Sequence, residues 1–277
     1  MTIQKPLPTP ADIGRYYDQM GPFLATLLGD NIHVGYWSGP EDQSSGTEAQ
    51  ERLTDMMIQR SRIGAGQRLL DIGCGTGRPA VRLAQATGCS VTGISVSAMQ
   101  VEQANARAQK EGLSDQVRFQ VADAMELPFP EASFDAVWAF ESLLHMPDRA
   151  HVLRNAFRVL RPGGILVLTD VTEQHVLTDE ERTLVYSGLM LTSLLRFQEY
   201  SLVVEAAGFS VEEALDITPN TRRAMVGTDK LISKEQEGIS AAYGTDFQAM
   251  TFELWPKIAA IFTDKLGYLL LAAVKPA

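Results

Sequence analysis

The chain changes its pattern near residue 67, where short apolar runs begin to alternate with amphipathic segments of a dozen or so residues. Such short runs fit strands buried on both faces, and the longer segments fit helices. The predicted strands are 68–72, 90–94, 117–121, 134–140 and 165–169, and the predicted helices between them are 79–86, 98–111 and 150–160. This alternation indicates a parallel sheet that is covered by helices on both faces and connected by right-handed crossovers.

Helical patterns dominate on either side of this region. Apolar positions on one broad face predict a helix over 11–29, after a proline-containing tail at 1–10. A Gly/Ser/Pro-rich loop separates it from a second predicted helix over 47–59. After Asp170 the helical predictions are 173–200 and 219–262, and two further strands are predicted at 210–217 and 267–274. The pattern therefore predicts an α/β fold with seven strands.

Composition narrows the range of functions. The 277 residues are 45% hydrophobic, enough for a substantial core, and the formal net charge of −10 disfavours nucleic acid and anionic membranes as partners. No apolar run approaches the ~20 residues that span a bilayer, and the N-terminus lacks an apolar signal core. Two cysteines, Cys74 and Cys89, are too few for a disulfide framework, and no metal-ligand cluster is visible. We expect a cytoplasmic protein without a metal.

The stretch LLDIGCGTGRP at 69–79 contains the most specific chemistry. Gly73, Gly75 and Gly77 alternate after a buried strand, and they allow positive φ and close approach of a ligand to the backbone. The dinucleotide fingerprint G-x-G-x-x-G requires a later third glycine, and Arg78 occupies that position. Asp71 beside the turn would repel a diphosphate but attract an ammonium or sulfonium group. The turn therefore favours a cationic ligand without phosphate.

These residues resemble motif I of the class I S-adenosylmethionine-dependent methyltransferases. The later stretches VADAMELPF, SFDAVWAFESLLH and VLRPGGILVLTD also match, so that the resemblance covers roughly residues 65–172. It implies a Rossmann-like, mostly parallel seven-stranded sheet with S-adenosylmethionine as the cofactor. The divisions we expect are an N-terminal helical lid at 1–60, a cofactor-binding core at 61–172, a helical cap at 173–262 with one core strand near 210–217, and a final core strand at 263–277.

The resemblance also implies roles for residues beyond the glycine turn. Asp123 would bind the adenine amino group, and the backbone N–H of Ala124 would contact the ring. Ser95 stands where the wider family has an acid that holds the ribose. A branch that includes tocopherol methyltransferases and cyclopropane fatty-acid synthases uses a glutamine here, which corresponds to Gln100. Both Asp123 and Gln100 also sit at capping-box spacing, so each has a structural alternative.

The same branch matches the stretch NIHVGYW at 31–37, which is expected to fold over the cofactor as a lid with the preceding helix. Tyr16, Tyr17, His33 and Tyr36 are the lid candidates, and Tyr17, His33 and Tyr36 are assigned to the cofactor. Their alternative role is to pack the helix onto the sheet, which is the role we expect for Trp37.

The predicted ends of two strands provide candidates for catalysis. His145 follows the fourth strand and Asp170 ends the fifth, at the sheet edge where ligands bind. Histidine is the natural general base near neutral pH, and such a base typically contributes ~10²–10⁴-fold. Glu141 on the same edge could face the cofactor or the acceptor. The region resembles sugar O-methyltransferases of the rebeccamycin type, which often have two adjacent histidines here, whereas this chain has Leu144 before His145.

The insert LVYSGLMLTSLLRF at 184–197 is unusually apolar for a helical cap. Apolar residues at spacings of four, four and three along it indicate one helix face, which suits either a core or a hydrophobic acceptor pocket. The expected substrate-binding residues are Tyr186, Met190 and Leu194, with Phe252 and Trp255 of the later helix completing the lining.

We therefore expect an enzyme that O-methylates a hydroxyl of a hydrophobic natural product, either a sugar or a polyketide. One alternative is C-methylation of a prenyl or alkene substrate. A second is a cyclase of the same fold that binds the cofactor without transferring its methyl group. The partner is a hydrophobic small molecule in each case, and a homodimer is compatible with the sequence.

Overall fold

The structure is a computed structural model that describes residues 7–277, except for the side chains of Asp229 and Asp246. One sheet has the strand order β3-β2-β1-β4-β5-β7-β6, in which β7 runs antiparallel to both of its neighbours and the other pairs are parallel. The prediction of a seven-stranded, mostly parallel sheet is confirmed. The part of the predicted tail at residues 1–6 lies outside the described residues. Within residues 7–277, no helix has the length and apolar character needed to span a bilayer.

The predicted elements agree with the observed ones closely in the first half of the sheet. The strands are β1 Arg68–Ile72, β2 Ser90–Ser95, β3 Val117–Val121, β4 Phe134–Phe140, β5 Leu160–Glu173, β6 Ser210–Asp216 and β7 Leu266–Val274. The helices are α1 Pro10–Leu28, α2 Gly46–Ser61, α3 Arg78–Thr87, α4 Ala98–Lys110, α5 Arg149–Val159, α6 Asp179–Gly188, α7 Phe197–Ala206, α8 Thr218–Thr221, α9 Thr228–Lys234, α10 Gln236–Tyr243 and α11 Thr245–Lys265. Short 3-10 helices occur at Ala124–Glu126, Leu143–His145 and Arg222–Met225.

Alternate residues of the central strands pack against two separate layers of side chains. Leu69 and Trp138 face the layer that includes the lid helices, whereas Leu70 and Val137 face the layer formed with α5 and α7. All four side chains are fully buried, which explains why these strands read as continuous apolar runs.

The fifth strand is longer than the sequence pattern predicts. Its pairing with β7 continues to the Glu173–Leu266 pair, four residues beyond the predicted end at Thr169. Asp170 therefore lies within β5 rather than at its end, which corrects the prediction. The carboxyl of Asp170 interrupts the apolar pattern, which made the strand appear to end there. The backbone hydrogen bonds to β7 continue past it, because they do not depend on the side chain.

The apolar insert is not one continuous helix. Helix α6 ends at Gly188 and α7 begins at Phe197, and Met190 between them has a left-handed φ of 52°. The backbone N–H and side-chain hydroxyl of Thr192 instead donate to the Leu144 carbonyl, both at 3.0 Å. The helical spacing of Tyr186, Met190 and Leu194 therefore does not place them on one helix face, because hydrogen bonds to a distant turn replace the local helical ones.

Candidate active site

A cavity opens at the carboxyl edge of the parallel strands, where ligands bind in open α/β sheets. The β1–α3 turn and the ends of β2 and β4 form one side, and α1 with residues 31–33 forms the other. The free space at this site, open solvent included, is about 810 Å³. The predicted site residues that line it are Tyr17, His33, Asp71, Gly73, Gly75, Ser95, Gln100, Ala124, Glu141 and His145. The structure thus brings together residues that are up to 128 positions apart in the chain.

Asp71 lies against the glycine turn and is buried, with 2% of its surface exposed. Its Oδ1 atom has no hydrogen-bond partner in the described structure. Burial raises the pKa of Asp71 to about 7, because the desolvated carboxylate lacks compensation. A cationic group that entered the cavity would supply that compensation. The residue therefore fits the ammonium-bearing cofactor that the family resemblance implies.

The glycine turn gives a ligand access to the backbone. Gly73 and Gly75 have φ of 80° and 51°, and a Cβ atom on Gly75 would meet nothing within 4 Å. Gly77 has a different function, because its added Cβ would lie 2.6 Å from the Phe119 ring and 2.8 Å from Ala104 Cβ. It lets α3 pack closely onto the sheet and does not line the cavity. Gly73 and Gly75 therefore form the part of the turn that suits a ligand.

Ser95 and Gln100 form a small network at the end of β2. The Ser95 hydroxyl donates to Gln100 Oε1 at 2.9 Å, and the Gln100 backbone N–H donates to Ser97 Oγ at 3.0 Å. Ser97 caps α4, which is the structural role that the capping-box spacing predicted as the alternative to ribose binding. The Gln100 side chain nevertheless lines the cavity, and its oxygen is already engaged. Its amide nitrogen is left as the group that can donate to a ribose oxygen.

Asp123 and Ala124 follow β3. The Asp123 carboxylate accepts from the Met125 N–H at 2.8 Å, which is its capping role, and its neighbours Ala122 and Ala124 line the cavity while Asp123 does not. The second carboxylate oxygen of Asp123 has acceptor capacity left for a ligand.

The lid segment is attached to the sheet by Glu141. This residue has an unusual left-handed φ of 48°, and its Oε1 accepts from the Val34 N–H at 2.8 Å and from the Tyr268 hydroxyl. Burial raises the pKa of Glu141 to about 7, partly offset by these two hydrogen bonds. His33 stacks on Phe140 with ring centroids 4.1 Å apart. Burial lowers the pKa of His33 to about 4, so its ring is a neutral wall of the cavity.

His145 has the geometry of a general base. Its Nδ1 lies 3.0 Å from the Met190 carbonyl and its Nε2 lies 2.7 Å from the Tyr17 hydroxyl. Because a carbonyl only accepts hydrogen bonds, Nδ1 carries the hydrogen and Nε2 presents its lone pair. Burial lowers the pKa of His145 to about 4, and the Arg149 charge acts in the same direction. The ring is therefore neutral, and Nε2 is an unprotonated acceptor at the cavity wall.

Asp170 lies outside the cavity lining and is fully buried. Its Oδ2 accepts from the Tyr200 hydroxyl at 2.6 Å and its Oδ1 from the Val171 N–H at 2.9 Å. Burial raises the pKa of Asp170 to about 6, and the charge of Arg149 and the Tyr200 hydrogen bond partly offset this. A carboxyl group in this position can support the neighbouring turn, but the structure does not bring it to the cavity with His145.

The remaining predicted residues also lie outside the cavity lining, which contains none of Tyr36, Tyr186, Met190, Leu194, Phe252 and Trp255. The Tyr36 carbonyl accepts from Arg52, and the Tyr186 hydroxyl accepts from the Leu194 N–H at 3.0 Å. The Trp255 indole donates to Thr228 Oγ1 at 3.0 Å, and its ring packs edge-on against Phe23. These contacts stabilise the lid and cap around the cavity.

Sequence reasoning missed several residues of the wall. Asn31, Phe140 and Ser142 line the cavity, and the Ser142 hydroxyl donates to the Ile72 carbonyl at 2.6 Å. A Cβ on Gly73 would lie 2.3 Å from Ser142 Cβ, so the two residues need each other's small size. Asn31 could have been predicted, because it lies two residues before His33 in the same lid stretch. The contact between Gly73 and Ser142 joins the turns that follow two different strands, so no local sequence pattern predicts it.

Comparisons with known proteins identify the same family. A family described as "Methyltransferase domain" matches residues 70–168. The 27-O-demethylrifamycin SV methyltransferase of Amycolatopsis mediterranei is 43% identical over 274 residues, which cover 97% of this chain and 98% of that protein. The (+)-O-methylkolavelool synthase of Herpetosiphon aurantiacus is 37% identical over 268 residues, covering 97% of this chain and 95% of that protein.

Among solved structures, the [4+2]-cyclase SpnF superposes with a TM-score of 0.85 at 35% identity, covering 98% of each chain. Its name describes a ring closure, whereas the two sequence relatives are named for O-methylation. This chain is therefore similar over nearly its whole length both to proteins named for O-methylation and to one named for ring closure.

Proposed function

This chain belongs to the S-adenosylmethionine-dependent methyltransferases, and we propose that its acceptor is a hydroxyl group on a hydrophobic natural product. The observation that carries the proposal is the neutral His145 with its Nε2 lone pair at the cavity wall. A hydroxyl acceptor must lose a proton during methyl transfer, and an alkene would need no such base at the start of the reaction. The names of the two full-length relatives support the same acceptor class.

We propose that the cofactor lies along the carboxyl edge of β1, β2 and β3. Asp71 and the backbone of Gly73 and Gly75 would hold its amino acid part, because all three line the cavity and the Asp71 Oδ1 atom has no hydrogen-bond partner in the described structure. The Gln100 amide nitrogen would donate to the ribose, and Asp123 with the Ala124 N–H would bind the adenine. When bound, S-adenosylmethionine supplies an activated methyl group that is open to in-line displacement.

His145 acts as the general base in this proposal. The Met190 carbonyl holds Nδ1–H, so Nε2 is the nitrogen that accepts the proton of the acceptor hydroxyl. The Tyr17 hydroxyl now occupies that nitrogen at 2.7 Å, and the acceptor hydroxyl would take its place. Asp170 is a positioning residue, since it supports the turn of His145 from behind without reaching the cavity.

The proposed divisions assign the lid to residues 1–60, the core to 61–172 and the cap to 173–262, with the final strand in 263–277. The apolar wall residues Ile13, Ile32 and Met146 suit a hydrophobic acceptor. Tyr186, Met190, Leu194, Phe252 and Trp255 would form the supporting layer behind that wall. We also propose a cytoplasmic location, which the two free cysteines support. Size-exclusion chromatography with light scattering tests the proposed homodimer.

The test is His145→Ala with a panel of hydrophobic hydroxylated substrates and mass spectrometry of the products. We expect S-adenosylhomocysteine binding within about threefold of the unmodified protein, and a rate of methyl transfer lower by ~10²–10⁴-fold, the usual contribution of a general base. The matched control is His175→Ala, because that side chain is exposed. An unchanged rate in His145→Ala would contradict the proposal.

The identity of the product separates the alternatives. A new C–methyl bond would establish C-methylation, and a cyclised product with the cofactor unconsumed would establish the activity named for the SpnF structure. An O–methyl product formed with one equivalent of S-adenosylhomocysteine would support the proposed function.

A further inference from the structure

Three consecutive residues of α1 connect the lid helix to three different parts of the molecule. The Tyr16 hydroxyl donates to the Gly188 carbonyl at 3.0 Å, and the Tyr17 hydroxyl contacts His145 at 2.7 Å. Both contacts lie on the side of His145 and the cap. Asp18 Oδ1 instead accepts from the Ser97 hydroxyl at 2.5 Å, on the side of the proposed ribose site. The helix is therefore attached to the two halves of the cavity by separate contacts.

Ser97 is fully buried and lies at the centre of the network that orients Gln100. Its oxygen accepts from the Gln100 N–H at 3.0 Å, and its backbone N–H donates to Ser95 Oγ at 3.1 Å. A serine hydroxyl has one hydrogen to donate, and Asp18 takes it. Asp18 thereby fixes the direction of the Ser97 hydroxyl, and through it the cap that positions Gln100.

The charge of Asp18 also has a partner in α4. The positive end of a helix dipole favours a nearby anion, but the first turn of α4 contains no acidic residue of its own. Asp18 supplies that negative charge from another helix. It does so only while α1 is docked, so the electrostatic stabilisation of the α4 N-terminus depends on the position of the lid helix.

Asp18 itself is exposed, but the close packing of α1 one turn earlier, at Gly14, supports a docking function. A Cβ on Gly14 would lie 2.8 Å from the Val96 carbonyl, so the backbone of α1 lies directly on the β2–α4 turn. Ile13 and Tyr17 from α1 and Val96 from that turn line the same cavity. A ligand bound in this cavity would therefore contact both surfaces.

We propose that Asp18 is a positioning residue that couples docking of the lid helix to retention of the cofactor product. The inference rests on the cofactor site described under Proposed function. Because coupling between two sites is reciprocal, docking of α1 slows loss of the ligand, and the bound ligand stabilises the docked helix. Tyr16 and Tyr17 would perform the corresponding function on the acceptor side.

The test measures release of S-adenosylhomocysteine from Asp18→Asn by stopped-flow displacement. Asparagine keeps an acceptor oxygen for the Ser97 hydroxyl but removes the charge that strengthens the hydrogen bond, which predicts release that is faster by about 2- to 10-fold. Arg15→Ala is the matched control, because this exposed residue on the same helix forms an ion pair with Asp12 rather than with Ser97. Hydrogen exchange over residues 10–28 should show less protection by S-adenosylhomocysteine in Asp18→Asn than in the unmodified protein. A purely structural function would change protection equally with and without the ligand.

A double-mutant cycle with Ser97→Ala identifies the contact. We expect the effects of Asp18→Ala and Ser97→Ala on the release rate to be strongly non-additive, because each removes the same hydrogen bond. Release from Asp18→Asn at the unmodified rate, or additive effects in the cycle, would overturn the inference about Asp18 and leave the cofactor site intact. Failure of the unmodified protein to bind S-adenosylhomocysteine would overturn the proposed cofactor site itself.

Discussion

Replacing Asp71 with asparagine should make the ligand-free protein more stable while it weakens ligand binding. The pKa of this carboxyl is about 7 in the folded protein against an ordinary value of 3.8. The folded state therefore binds the proton more tightly than the unfolded state, and the ionised carboxylate destabilises the fold. This penalty is absent below pH ~4, grows through the interval up to pH ~7 and is complete above it.

The size of this destabilisation follows from the difference between the folded and the ordinary pKa of Asp71. Each pKa unit corresponds to ~1.36 kcal/mol, so the ionised carboxylate costs at most about 4 kcal/mol at pH 8. Asparagine brings its own unpaired amide into the same buried position, and such a group costs about 1–3 kcal/mol. We therefore expect a net gain of at most about 1–3 kcal/mol, where each kcal/mol raises the melting temperature of a chain of this size by roughly 2–4 °C.

The assay is differential scanning fluorimetry at several pH values, together with calorimetric titration of S-adenosylhomocysteine. The stability gain of Asp71→Asn should shrink as the pH falls from 7 towards 4, because the unmodified carboxyl then becomes protonated. Loss of a buried charge partner costs 2 kcal/mol or more, so the dissociation constant should increase by at least ~30-fold. Asp115→Asn, at an exposed position, is the control. The reasoning is refuted if Asp71→Asn binds the ligand with unchanged affinity or melts below the unmodified protein at pH 8.

Three further predictions concern packing, pH and the lid. Gly77→Ala should lower stability by about 1–3 kcal/mol in chemical denaturation, because the new methyl group would lie 2.6 Å from the Phe119 ring at a φ of 77°; an unchanged midpoint would contradict this. With cofactor saturating, kcat should stay level between pH 8 and pH ~5 and fall only near pH 4, because burial holds the pKa of His145 at about 4; an acid limb at pH 6.5 would show a solvated base. Tyr16→Phe should raise KM for the acceptor severalfold and leave S-adenosylhomocysteine affinity unchanged, because it removes only the hydrogen bond to Gly188.

The two halves of the sheet differ in how well local pattern predicted them. β1, β3 and β4 begin and end at the predicted residues, because β1 and β4 are short, mainly apolar runs and β3 alternates apolar with polar residues. β5 exceeds its prediction, since its length depends on pairing with β7, about 100 positions later in the chain. Residues 189–196 read as helix by spacing but donate and accept hydrogen bonds with the turn at residues 144–146, which local propensity does not encode.

The sequence by itself determined the α/β class, the glycine turn with its carboxylate and some of the residues that face the cavity from the strand ends, such as Ser95 and Glu141. These features are local, because strand periodicity, turn chemistry and a carboxylate beside glycines are properties of adjacent residues. Only the tertiary structure decided that Tyr17 contacts His145, that the Met190 carbonyl selects its tautomer and that Asp170 turns away from the cavity. Each of these depends on the relative placement of distant elements, which is set by how their buried faces pack together.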